Sequence, residues 1–220
     1  TTAWNLTAAG ISVTLVDRQN VGREASWAGA GMLPAGHLEF AETPEARLRA
    51  YSHQLWDDLT AALYERTGID NGYRRCGAVE TIGRCPEEFD RQVALWRQER
   101  LVVEELGRAD LEERIPDIHQ QHQQGVFLTE IGQVRNPRHL KALAIVAGCQ
   151  TLRLERAGQG SVAAVATGRR FLSDQICLAA GAWSSDLLQP LGLSVPVVPV
   201  RGQMVQLQVG QLPFTCVIEQ

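Results

Sequence analysis

The sequence predicts an α/β fold, with a Rossmann-like parallel sheet and a second, mixed or antiparallel sheet. Three observations predict it. Helical and strand-like segments interleave along the chain, with no internal repeat. A strand-length apolar run ending in an acid, residues 11–17, follows directly on a helical stretch. Short β-branched runs bounded by turns return in the last third.

The 220 residues are 45% hydrophobic and 21% charged, which suffices for one large domain or two small ones. A formal charge of -4 and the lack of a Lys/Arg run argue against nucleic acid as a partner. No run approaches the roughly 20 apolar residues that span a bilayer. Cys76, Cys85, Cys149, Cys177 and Cys216 show no metal-binding spacing, so they read as reduced thiols in a cytoplasmic protein and no metal site is expected. The chain opens at Thr1 within an apparent helix and stops just after a strand-like run, so both ends read as cut.

In order, Ala3, Leu6 and Ala9 mark a short helix with Gly10 at its C-terminal cap. Ile11, Val13, Leu15 and Val16 predict a buried strand that ends in Asp17. A loop of small residues follows, 22–36. Leu48, Tyr51, Leu55, Leu59 and Leu63 recur at spacings of three and four and predict a helix over 44–67. Residues 73–82 read as a strand pair and 87–106 as a second long helix carrying Phe89, Val93, Trp96 and Val103. A short helix closes at Pro116, a strand is expected at 126–128, and Gly132-Gln133-Val134 turns into another. Asn136-Pro137 begins a helix to about residue 147, and strands are expected at 162–166, 175–180, 199–208 and 215–218. His119 and His122 lie among glutamines and read as a solvated loop; Trp56 and Trp96 read as core.

Four segments carry candidate chemistry. After the second strand of a dinucleotide fold, an acid such as Asp17 can accept hydrogen bonds from ribose hydroxyls; at any strand end it can equally be a turn residue. The loop Ala25-Ser26-Trp27-Ala28-Gly29-Ala30-Gly31-Met32-Leu33 lets backbone approach a flat ligand and offers N–H groups to it. Leu178-Ala179-Ala180-Gly181-Ala182-Trp183-Ser184 runs from a strand through small residues into a helix, as a cofactor-facing turn or a tight connection. In Pro199-Val200-Arg201-Gly202-Gln203 the prolines hold the chain extended, and Arg201 either is structural or faces an anion.

These segments, in this order and spacing, resemble the D-amino-acid-oxidase family of flavoproteins over nearly the whole chain. The Ala30-Gly31-Met32-Leu33 ending and Gln133-Val134-Arg135-Asn136-Pro137 look closest to its glycine oxidase branch, which serves thiamine biosynthesis. The resemblance implies FAD as cofactor. It matches Asp17 and Arg18 to the adenosine ribose, Ala25 and Ser26 to the pyrophosphate, and Ala30, Gly31 and Met32 to the flavin ring. Met32 would also line the substrate pocket, and Ala179, Ala180 and Gly181 would make a second contact with the nucleotide half. The implied reaction oxidises glycine, sarcosine or small D-amino acids with oxygen to the oxo acid, ammonia and hydrogen peroxide, in a homotetramer. A D-amino-acid dehydrogenase or sarcosine-oxidase-like flavoenzyme shares the fold and cofactor.

The family's Gly-rich phosphate turn would precede Thr1, and its substrate-binding tyrosine and arginine would follow Gln220. No catalytic residue is therefore assigned, and the chain alone is expected to be inactive. The stretch 148–155 is shorter than the family's. The expected domains are residues 1–36 and 136–195 for the FAD-binding part, 37–135 for a helical insertion and part of the substrate domain, and 196–220 for the start of the substrate-domain sheet.

Overall fold

A computed structural model describes residues 1–17, 22–82, 86–144, 153–156, 162–166, 169–205, 207–212 and 214–219. The elements run in the order α1 (Thr2–Ala8), α2 (Ala25–Ala28), β1 (Met32–Leu33), α3 (Pro44–Thr67), β2 (Arg74–Arg75), β3 (Ala78–Thr81), α4 (Pro86–Gln98) and β4 (Val103–Leu106). They continue with α5 (Arg108–Arg114), β5 (Gly125–Leu128), β6 (Gly132–Gln133), α6 (Asn136–Ala144), β7 (Arg153–Arg156), β8 (Val162–Ala166), β9 (Arg169–Ser173), α7 (Ser184–Leu188) and β10 (Val217–Glu219). The mixed α/β class is the one predicted. The chain divides into two units, Thr1–Ala28 with Leu143–Val205, and Gly29–Ala142 with Gln206–Gln220.

In the first unit, α1 ends as its glycine foretells. Gly10 adopts φ +80°, its N–H bonds the Thr7 carbonyl, and the Ile11 N–H reaches back to the Leu6 carbonyl, each at 3.0 Å. This pair of bonds satisfies carbonyls that a helix end leaves without partners. Residues 11–17 and 175–180, expected as strands, join no strand ladder among the described residues. A strand is held by its neighbour's hydrogen bonds, so apolar β-branched sequence alone does not make one. Residues 199–208 likewise carry no ladder, residue 206 lying outside the description. The sheet present here is antiparallel, β7-β8-β9, with Leu154 paired to Ala164 and Ala163 to Leu172. Leu154, Ala163 and Ala164 are buried in it. The α7 helix lies beside β7. The Ser185 hydroxyl of α7 donates to the Val195 carbonyl at 2.7 Å and ties down the chain that follows.

The second unit is built on a four-stranded sheet, β10-β3-β5-β4, in which only the β10–β3 pair is parallel. Successive residues of β3 serve opposite faces, as the period of two requires. Ala78 joins Ala35, Leu101, Leu128, Ile131 and Val217 on one side, and Val79 joins Leu106, Leu111 and Ile115 on the other. The expected strand pair at 73–82 is two strands with different partners: β2 pairs with β6, and β3 with β5 and β10. The expected helix 87–106 stops at Gln98. Arg100 takes φ +61° and the Leu101 N–H bonds the Trp96 carbonyl at 3.0 Å, after which 103–106 is drawn into the ladder with β5. Pairing across the sheet outweighs local helical spacing there.

The long α3 has the bounds its caps dictate. The Thr43 hydroxyl accepts the Ala46 N–H at 3.1 Å, Pro44 fills the first turn, and Gly68 closes the helix at φ +66°. Its buried face differs from the leucine stripe. Ala46, Ala50, His53 and Leu63 are inward, whereas Leu48 is 72% exposed and Tyr51 55%. The cause is a close backbone approach: a Cβ on Gly36 would lie 3.0 Å from the Ala50 Cα, a gap that admits only small residues.

Candidate functional site

In the second unit the small-residue loop is fastened at every step. Gly31 is buried with φ +79°, and a Cβ there would sit 1.9 Å from the Val134 carbonyl oxygen. Its own carbonyl accepts the Val134 N–H at 2.8 Å. Glycine is thus required by the approach of residues 132–136, and the loop's two conspicuous motifs prove to be neighbours. Met32 and Leu33 then pair with Gln133 and Gly132, which pair in turn with Arg74 and Arg75, giving the three-stranded sheet β1-β6-β2. Met32 is 45% exposed on it.

Beyond β1, the Arg49 guanidinium donates to the Ala35 carbonyl and, at 2.8 and 2.9 Å, to both oxygens of Glu99. The Glu99 hydrogen bond raises the Arg49 pKa above its ordinary value. His37 Nε2 lies 3.2 Å from Glu130, whose carboxylate also accepts the Val102 N–H at 3.4 Å. Loop residues 31–37 therefore answer to α3, the α4–β4 connection and the β5–β6 turn together.

A buried polar cluster backs the same sheet. Asn71 is 1% exposed; its carbonyl accepts the Arg135 N–H and its side-chain oxygen the Tyr73 N–H. Its side-chain amide lies 3.3 Å from the Thr60 hydroxyl and 3.2 Å from His139 Nδ1. With the amide donating, Nδ1 is an acceptor and the imidazole is neutral. Burial pushes the His139 pKa down to about 4, which keeps it so. Trp56 stacks on Tyr73 at 5.8 Å and tilts against His139 at 5.0 Å.

The remaining candidates lie in the first unit. Asp17 is half-buried at the end of the extended run 11–17, while Arg18 lies outside the described residues. Ala25 and Ser26 form the exposed first turn of α2, where the Trp27 N–H bonds the Glu24 carbonyl and the Arg23 guanidinium covers the Trp27 ring at 3.8 Å. Ala179 is exposed and Ala180 half-buried; Gly181 enters a 3₁₀ turn at φ +54°, with nothing within 4 Å of where a Cβ would point. Asp17, Ala25, Ser26, Ala179, Ala180 and Gly181 thus belong to one unit, and Ala30, Gly31 and Met32 to the other. Arg201 is exposed and lies outside any helix or strand.

No group of His, Cys, Asp or Glu suited to a metal occurs among the described residues. Cys76, Cys177 and Cys216 are free thiols; Cys85 and Cys149 lie outside the description. Among the described residues, no helix is long and apolar enough to cross a membrane. Sequence reasoning missed the Arg49–Glu99 clamp and the Asn71–His139 contact, whose partners stand 50 and 68 residues apart with no local signal.

Residues 1–217 match the family model described as DAO, FAD dependent oxidoreductase, and the chain belongs to that family. It is 34% identical to a glycine oxidase of Pseudomonas aeruginosa over 93% of its length and 58% of the relative's. A bifunctional protein ThiO/ThiG of Synechocystis is 28% identical over 90% of the chain and 29% of the relative. Among solved structures, the glycine oxidase of Geobacillus kaustophilus superposes with a TM-score of 0.75 at 27% identity, covering 85% of this chain and 53% of that one. The chain thus spans little more than half the length of the glycine oxidases it matches.

Proposed function

We propose that the protein carrying these residues is an FAD-dependent oxidase of glycine or other small amines and D-amino acids, and that its product serves thiamine biosynthesis. The observation that carries this reading is the fastened loop 31–37. It sets Met32 on an open sheet face in a chain whose relatives over nearly its whole length include glycine oxidases.

The residues present fit the cofactor. Gly181 leaves clear space at a turn of positive φ, where backbone can approach a ligand, and the small residues Ala25 and Ser26 stand exposed at the start of α2. Asp17, Ala25, Ser26, Ala179, Ala180 and Gly181 would hold the nucleotide half, and Ala30, Gly31 and Met32 would lie against the flavin, with Arg18 beside Asp17. The unit 1–28 with 143–205 is accordingly proposed as the FAD-binding part, and the unit 29–142 with 206–220 as the substrate part.

When bound, FAD would supply the redox chemistry, taking the amine C–H hydrogen as a hydride with its electron pair and passing those two electrons to oxygen. The overall balance is amine, oxygen and water to oxo compound, ammonia and hydrogen peroxide. The chain's own contribution is positional. Gly31 brings backbone close, and Met32 presents an apolar side chain that excludes water without titrating. No acid–base group is required of the described residues. Cytoplasmic location and assembly as a homotetramer complete the proposal.

The test is the visible spectrum of the purified complete polypeptide that contains these residues, before and after anaerobic glycine. Flavin bands that bleach with glycine support the reading. Bleaching only with sarcosine or a larger D-amino acid moves the substrate within the family, and absence of flavin overturns the function.

A further inference from the structure

The three-stranded sheet beside the proposed substrate position has two unlike faces. Cross-strand partners share a face, so the register Met32↔Gln133↔Arg74 lines up one of them and Leu33↔Gly132↔Arg75 the other. On the second face the charge is paired. Arg75 is bound to Asp57 at 2.6 Å and to the Tyr73 hydroxyl at 3.2 Å, and Tyr73 is stacked on Trp56. A Cβ on Gly132 would meet Tyr73 and Leu33 at 3.5 Å. The first face is open, with Met32 and Arg74 exposed.

The two arginines differ in one respect that bears on function. Arg75 has its carboxylate, whereas the side-chain partner of Arg74 among the described residues is the neutral amide oxygen of Gln133, at 3.4 Å. Gln133 in turn stands between Arg74 and Met32. A guanidinium in this state keeps a planar pair of donors available for a carboxylate, the partner its geometry fits best. An amide beside it can add one further donor.

Resting on the reading of Met32 as a substrate-lining residue, we infer that Arg74 and Gln133 form a specificity rim for amine substrates bearing a second carboxylate. Such substrates include iminodiacetate and D-aspartate. The α-carboxylate that glycine also has would be bound elsewhere, and Arg74 would meet only the distal one. Its contribution is a charge-assisted bidentate contact at a partly exposed site, so it weakens as salt is added.

The experiment uses the complete flavin-loaded protein, with iminodiacetate, D-aspartate and glycine as probes. Steady-state kinetics and titration of the flavin spectrum are run on the wild type, R74A and R74K at low and high salt. The expected result is that R74A lowers the ratio of kcat/KM for the dicarboxylates to that for glycine by about tenfold, mainly through KM. R74K should recover part of the loss, and the wild-type ratio should fall with salt. A flavoprotein that oxidises glycine but shows the same ratio in wild type and R74A overturns the rim alone. So does one that neither oxidises nor spectrally responds to the dicarboxylates. A protein without flavin overturns both the rim and the functional reading beneath it.

Discussion

A methyl group on Gly31 would meet the Val134 carbonyl oxygen at 1.9 Å, on backbone already at φ +79°. Both terms act against any side chain there, so G31A should cost about 3 kcal/mol or more, read as a lower urea midpoint. His139 answers to proton linkage. Its folded pKa of about 4 lies below the ordinary 6.5, so as the medium is acidified the unfolded chain takes up the proton first. Stability from this group is therefore complete above pH 6.5 and is lost progressively toward pH 4, on the order of 3 kcal/mol. Urea unfolding at a series of pH values checks it, with a shallower slope expected in H139Q. His53 is depressed in the same direction, by burial first and then by the charge of Arg75, so the slope should be reduced in that variant and not abolished.

Elements differed in how far sequence announced them. Helix α3 was legible to the residue because its signals are local: Thr43 at the cap, Pro44 in the first turn, Gly68 past the end. Its inner face was not, since burial depends on Gly36 arriving against Ala50, and nothing near Ala50 in sequence announces that. Strand partners were similarly hidden. Residues 73–82 have strand composition, but composition is silent on whether β2 and β3 pair with each other or with strands 50 residues on. At the candidate site, the small residues around Gly31 were conspicuous, whereas the clamp that holds the loop beyond them was not. That clamp is testable. Arg49 and Glu99 are largely buried, with side chains 16% and 10% exposed, and R49L would strand the Glu99 carboxylate. The expected loss is about 3 kcal/mol, seen as a fall in Tm, and the double variant R49L/E99L should recover much of it, because the orphaned charge is then gone. Failure of the second change to recover stability would show that the guanidinium's bond to the Ala35 carbonyl matters more than the ion pair.

Across the whole molecule, each unit is assembled from stretches far apart in sequence, and the chain passes between units after residues 28, 142 and 205. The second unit shows what this entails. Its sheet is finished on one side by β10, whose residues 217–219 lie beside residues 78–80 of β3 in parallel register. Contacts across so long a loop form late in folding, since the loop-closure entropy must be overcome first. Until β10 docks, the outer edge of β3 is a row of unpaired N–H and C=O groups flanked by buried apolar side chains. Such an edge is a template for a strand from another molecule. Compared with a polypeptide of residues 1–220, one of residues 1–214 should therefore associate with itself more, with light scattering rising with concentration, even where the circular dichroism of the two stays close. On this view β10 is a guard against aggregation as much as a part of the core.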